Sequence, residues 1–290
     1  MGEITQVTGT AFVVAEFRAE ENDAEQPLYR DSVVKLFLSE ESREAAERIA
    51  AGFTPAKEMV RIRTRYYDDM LDRQLASGCR QVVVLGAGLD TRAARKPAEG
   101  VTYFEIDDGA TLALKQSCYQ ENGIAAKVRF IPGNYVTDGL VDLLDQNSLD
   151  FGLPTYVIWE GNTMYLPRQI AQRVMEQLRE SLKDFRLSFD YMAEAIIAKT
   201  TGNADLTRMV EHFATMGAPW ITGFNDIYRL ADGVKLRVLE NVSTANLYRT
   251  YRAVAPSEVP YFGDFYSICT LESCPDPNLG GLINGKAPPS

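Results

Sequence analysis

A pair of glycines, one acid and one arginine carry the first chemical clues. Val82-Val83-Val84-Leu85 runs straight into Gly86-Ala87-Gly88. In doubly wound sheets the first strand needs such a turn so that backbone can approach a ligand closely. A dinucleotide fingerprint would place a third glycine where Thr91 stands, opening a helix behind a pyrophosphate. Asp90 sits where a diphosphate would be repelled, so a ligand without phosphates fits better. Alone, Gly-x-Gly serves equally well as a tight structural turn. The next strand candidate ends Glu105-Ile106-Asp107-Asp108, and Asp107 lies nineteen positions beyond Gly88. That is about where a carboxylate accepts the two ribose hydroxyls of an adenosine. Glu105 and Asp107 face the same side of the strand, and Asp107 is the stronger candidate because it lies at the carboxyl end.

Arg63 stands out for its position. On a helix from Glu58 to Leu75, with about 100° between residues, Met59, Ile62, Tyr66, Tyr67, Met70 and Leu71 form one apolar face. Arg63 projects onto the middle of that face, while Arg61 and Arg65 project to the opposite side, toward solvent. A guanidinium among apolar side chains is costly unless an anion meets it. The anion is either an internal carboxylate or the carboxylate of a ligand, for which arginine's planar fork is well shaped. A phosphate-free adenosine that also carries a carboxylate is S-adenosylmethionine.

The elements that must hold these residues alternate. Strand patterns fall at 81–85, 101–106, 128–131, 156–159 and 187–191, with helical patterns between several of them, around 109–122 and 167–182. Strand and helix in turn imply parallel strands with crossover helices. After Met192 the alternation lapses. The segment 193–234 reads as a helical insertion covering the ligand edge, followed by strands at 235–242 and 261–271 that pair as a hairpin. The expected architecture is a doubly wound, mostly parallel seven-stranded α/β sheet in a single domain over 1–271. A Pro-, Gly- and Asn-rich tail, expected to be loose, occupies 272–290.

Four stretches, IRTRYYDDML (62–71), VVVLGAGLDTR (82–92), TYFEIDDGATLALK (102–115) and VIWEGNTMYLP (157–167), resemble the leucine carboxyl methyltransferase family, in particular its bacterial S-adenosylmethionine-dependent O-methyltransferases. A looser match continues through FATMGAPWITGF (213–224). The resemblance implies a class I methyltransferase-like, Rossmann-like fold with S-adenosylmethionine as cofactor and S-adenosylhomocysteine as product. It assigns Arg63 to the methionine carboxylate, Gly86 and Gly88 (with Asp90 beside them) to the cofactor turn, Asp107 to the ribose, and Glu160 to the methionine end and its ammonium. Where relatives often carry Asp-Leu after the third core strand, this chain has Asn134-Tyr135. The asparagine carbonyl could accept from the adenine amino group and the tyrosine could stack on the ring.

Methyl transfer from a sulfonium mainly requires alignment of nucleophile, carbon and sulfur. A carboxylate acceptor, of pKa about 4, needs no base; a phenol, of pKa about 10, would gain from one. His212, the only histidine, is the natural candidate base, and Tyr165 is a second candidate catalytic residue. Tyr165, Trp220 and Tyr228 are also candidates for an apolar substrate pocket, although core packing explains each equally well. The scarcity of bases and the resemblance together favour a carboxylate.

Composition bounds the rest. A net charge of −10 disfavours nucleic acid and anionic membrane, and no apolar run approaches the roughly 20 residues that span a bilayer. Four scattered cysteines and one histidine leave no metal site to expect. The reading is a cytoplasmic enzyme acting on the carboxylate or hydroxyl of a small molecule or peptide, such as an acid or phenol of secondary metabolism. The rivals are a non-catalytic cofactor-binding module and, disfavoured by Asp90 and Thr91, a nicotinamide-dependent oxidoreductase.

Overall fold

The computed structural model describes residues 7–273. The chain opens with three helices, α1 (Val7–Glu20), α2 (Glu40–Gly52) and α3 (Ala56–Ala76). Ser39 starts α2 through a reciprocal cap in which Ser42 N–H donates to Ser39 Oγ at 3.1 Å and Ser39 N–H to Ser42 Oγ at 2.9 Å. The alternating section then runs β1 (Gln81–Leu85), α4 (Arg92–Arg95), β2 (Thr102–Asp107), α5 (Gly109–Glu121), β3 (Val128–Pro132), α6 (Leu140–Gln146), β4 (Thr155–Trp159), α7 (Arg168–Ser181) and β5 (Phe185–Met192). It continues through α8 (Glu194–Ile197), α9 (Ala204–Thr215), α10 (Ile227–Gly233), β6 (Leu236–Ser243), α11 (Thr244–Arg252) and β7 (Tyr266–Ser273).

One seven-stranded sheet results, in the order β3-β2-β1-β4-β5-β7-β6. The first five strands are parallel, and β7 runs antiparallel between β5 and β6. The five parallel strands fall where the strand patterns predict them, with bounds shifted by at most two residues. Alternation along β1 assigns its side chains to two cores. Val83 and Leu85 pack with Val157, Trp159, α7 and α10, whereas Val82 and Val84 pack with Tyr156, Ile158 and the Ile62–Leu71 face of α3. Chain order reverses between β1 and β4, which opens a crevice at their carboxyl ends.

The structure departs from the sequence reading in three places. The last strand starts at Tyr266 rather than Tyr261, because Tyr261–Phe265 forms a 3₁₀ turn after Pro260. Its antiparallel partner is β6 as expected, with α11 in the connection between them. The segment 193–234 is divided: α9 buries Leu206, Met209 and Val210 in a cluster that meets the sheet only at the strand ends, Met192 and Tyr266, whereas α10 buries Ile227, Leu230 and Ala231 against the β1–β4 core. The tail expected at 272–290 lies outside the described residues from 274 onward, and Glu272 and Ser273 belong to β7.

Candidate active site at the sheet switch point

Three strand ends build the crevice. Beyond β1, Gly86 and Gly88 hold φ of 62° and 47°, the left-handed region that side chains avoid. At Gly86 there is also no room, since a Cβ would lie 2.3 Å from Asn162 Oδ1. Asn162, beyond β4, donates to Leu85 O at 3.3 Å and to Glu160 O at 2.7 Å, which ties the two strand ends together. At the end of β2, Asp107 accepts from Gly88 N–H at 2.6 Å and from Asp108 N–H at 2.7 Å. Burial, with Asp108 beside it, raises the Asp107 carboxyl above its ordinary value despite these bonds.

Arg63 is buried where the helix projection puts it, and both anions considered for it have a basis. Its Nε donates to Glu160 Oε1 at 2.9 Å, and its Nη1 donates to Tyr266 Oη at 2.7 Å and to Asp190 at 3.4 Å. It also lines the crevice. Glu160 meets Arg92 at 2.8 Å through its other oxygen. Burial alone would raise the Glu160 carboxyl, but Arg92 and Arg63 hold it below the usual range. Asp90 is likewise kept ionised against burial by Arg92 and Arg18. Its charge is met from within the protein, which weakens the repulsion of phosphate inferred from its position. The projection of Arg61 and Arg65 to solvent is corrected. Arg61 is 17% exposed and bridges Glu20, Glu21 and Glu58 beneath α1, while Arg65 pairs with Asp69 and lies over the Tyr251 ring.

The Asn134-Tyr135 pair is only partly arranged as the sequence suggests. Asn134 is exposed, and its carbonyl already accepts from Val136 N–H at 2.9 Å. Tyr135 is anchored by its hydroxyl, which accepts from Trp159 Nε1 at 3.0 Å and donates to Asn162 at 3.3 Å.

These residues surround one cavity of about 660 Å³, within the range of about 300–1,000 Å³ usual for small-ligand and cofactor sites. Arg63, Gly86, Gly88, Asp90, Asp107, Asn134, Tyr135, Glu160 and Tyr165 all line it, together with Thr10, Ala11, Val14 and Arg18 of α1. The glycine turn, the acid at the β2 end and the Arg63–Glu160 pair suit an adenosine at one end and an amino-acid group at the other. A smaller apolar cavity of about 110 Å³ adjoins it and shares Thr10, Val14, Arg63, Gly161 and Tyr165. Burial raises the Tyr165 phenol, which makes it a donor rather than a base near neutrality.

Two candidates lie outside both cavities. His212 is exposed on α9 and lines neither of them. Tyr228 is 66% exposed on α10. Trp220, by contrast, lines the apolar cavity. Sequence reading also missed four participants. Asp190 accepts from Gly161 N–H at 2.6 Å and from the hydroxyls of Tyr67 and Tyr266; an acid within the apolar strand run LSFDY was the available signal. Arg92 and Asn162 lie inside quoted motifs. Arg18, which donates to Leu89 O at 2.9 Å and Thr91 Oγ1 at 2.6 Å, had no signal beyond sitting in an apolar helix.

A doubly wound sheet with a crevice at its switch point is the frame of Rossmann-like cofactor-binding proteins, and the family and relatives that follow make this one a methyltransferase that uses S-adenosylmethionine. The model for leucine carboxyl methyltransferase matches residues 11–179, and the chain belongs to that family. It is similar to a protein of Streptomyces coelicolor, provisionally named an S-adenosyl-L-methionine-dependent methyltransferase, with 30% identity over 68% of this chain and 74% of the relative. A Frankia alni protein with the same provisional name is 32% identical over 70% of this chain and 74% of its own length. Among solved structures, a DUF574 family protein from Streptomyces avermitilis aligns over 91% of this chain and 97% of its own, with a TM-score of 0.65 and 12% identity. That likeness speaks for the fold.

Proposed function

We propose that the chain is a cytoplasmic O-methyltransferase whose acceptor is the carboxylate of a small molecule. The observation that carries this reading is that an apolar cavity lies against the polar crevice, the two sharing Arg63, Gly161 and Tyr165. The crevice suits the cofactor, with Asp107 toward the ribose and Arg63 and Glu160 toward the methionine end. The apolar cavity suits an acceptor. When bound, the cofactor supplies an activated methyl carbon; its transfer to a carboxylate oxygen breaks the carbon–sulfur bond, leaves the electron pair on sulfur and moves no proton.

That absence of proton transfer matches the lining. Among the described residues, neither cavity is walled by histidine, lysine or cysteine, and the apolar one has only Arg63, Tyr165 and Tyr266 as ionisable groups. A pre-ionised acceptor, of pKa about 4, needs no base. Acceptor recognition is assigned to the cover around α9, and cofactor binding to the sheet. Free buried thiols at Cys79, Cys118 and Cys269 accord with a reducing compartment, and among the described residues no helix is long and apolar enough to cross a membrane.

A screen for cofactor-dependent methyl transfer to small acids and phenols tests the proposal. Base-labile methyl esters support it, and ethers formed only from phenols overturn the carboxylate. One observation favours the hydroxyl alternative: Tyr266, on the apolar cavity, donates to Asp190, whose carboxyl burial holds above its ordinary value. Tyr266→Phe separates the two, since ester formation should survive it while a hydroxyl acceptor would lose its proton route.

A further inference from the structure

The smaller cavity restricts the acceptor further, given the methyl-transfer reading above. Its wall is hydrocarbon and aromatic, with Phe17, Phe53, Met59 and Met164 facing Phe213 and Trp220. The last two rings are stacked, with centroids 4.6 Å apart and planes 24° from parallel, so each braces the other at the cavity wall. Methionine side chains adapt to irregular apolar shapes. The single charge on the lining is Arg63, and Glu160 and Asp190 already engage it. A second charge placed deep in this space would be left without a partner. The deep end therefore takes hydrocarbon, and a charged group belongs at the junction with the crevice, beside Arg63 and Tyr165.

Size narrows the class. A closed apolar cavity of about 150 Å³ holds benzene. This one is about 110 Å³ and shares the Arg63, Gly161 and Tyr165 wall with the crevice, so one ring or a short branched chain fits if its polar end lies at that wall rather than inside. We propose that the acceptor is a monocarboxylic acid whose monocyclic aryl or branched-alkyl end fills this cavity, with the Phe213–Trp220 wall setting its upper size. The carboxylate then stands at the junction, where the two spaces share Arg63, Gly161 and Tyr165.

Calorimetry on the protein saturated with S-adenosylhomocysteine tests this, with phenylacetate, acetate and 1-naphthoate as probes. Phenylacetate should bind at least tenfold more tightly than acetate, and 1-naphthoate should not bind. Ala56 lines the apolar cavity and not the crevice, so Ala56→Leu should fill it, weaken phenylacetate at least tenfold and leave acetate and S-adenosylhomocysteine within about twofold. Phe213→Ala should admit 1-naphthoate. Met164→Phe provides a second filling variant should Ala56→Leu melt early. Equal affinity for acetate and phenylacetate, or indifference to both filling variants, overturns the cavity assignment even if methyl esters form. Phenylacetate binding that the filling variants abolish, with no acid ever methylated, overturns the methyl-transfer reading and leaves the cavity assignment standing.

Discussion

The backbone N–H of Gly88 donates to Oδ2 of Asp107 at 2.6 Å, so the glycine turn and the acidic strand end hold each other in place. Asp107→Ala removes the proposed ribose acceptor and unties the turn together. S-adenosylhomocysteine affinity should fall about 10- to 100-fold by calorimetry, the equivalent of about 1.5–3 kcal/mol for hydrogen bonds to a charged group. An unchanged dissociation constant would remove Asp107 from the site.

Arg63 and Arg65 lie two residues apart on α3 with opposite expected consequences. Arg63→Ala leaves Glu160 and Asp190 without their shared cation. It should lower stability by about 3–5 kcal/mol and abolish measurable cofactor binding. Arg65→Ala breaks a half-exposed pair with Asp69 and should cost under about 1 kcal/mol. Urea melts and cofactor titration on both variants check the contrast, and equal losses would contradict it.

His212→Ala should leave turnover within about threefold, because the imidazole is exposed and lines neither cavity. Loss of a general base costs about 10²- to 10⁴-fold. A drop of that size with cofactor binding intact would mean that α9 turns inward during the reaction.

Glu105 and Lys115 form a fully buried pair at 2.5 Å. Burial pushes the Glu105 carboxyl up to about 7, against the attraction of Lys115. Its folded value is therefore raised above the unfolded one, near 4.5. The associated stability is fully present below about pH 4.5 and is lost as pH rises through about 7. Relative to Glu105→Gln, wild-type stability in urea should decline across that window by on the order of 1–3 kcal/mol and then level off. A constant difference would show that the carboxyl does not titrate there.

Gly86→Ala should destabilise the protein twice over, through a φ of 62° and through contact with Asn162. Asn162→Gly relieves that contact but gives up the bonds to Leu85 O and Glu160 O in either background. A double-mutant cycle by thermal melting should therefore show the second change costing less in the Gly86→Ala background than in wild type. Simple additivity would place Asn162 elsewhere.

The sheet was legible because a strand buried on both faces must be a continuous apolar run, and Val82–Leu85 and Tyr156–Trp159 are such runs. Arg63 was legible because helical periodicity makes a charge on an apolar face visible. The other sides of α3 were not, because nothing local to Arg61 reveals that α1 folds across it with Glu20 and Glu21. Asp190 and Tyr266 reach Arg63 from 127 and 203 positions away, and such partners follow from strand order, which periodicity does not encode. His212 drew notice by rarity alone, and its place about 100° from Phe213, about 160° from Val210 and about 120° from Leu206 on α9 leaves it exposed.

Five residues, Thr10, Val14, Arg63, Gly161 and Tyr165, belong to the walls of both cavities. A shared wall makes the two occupants thermodynamically answerable to each other. Whatever factor the cofactor applies to acceptor affinity, the acceptor must return to cofactor affinity. Since α1 contributes Thr10 and Val14, the settling of one helix against one ligand prepares the berth of the other, and neither affinity is a property of its own pocket alone.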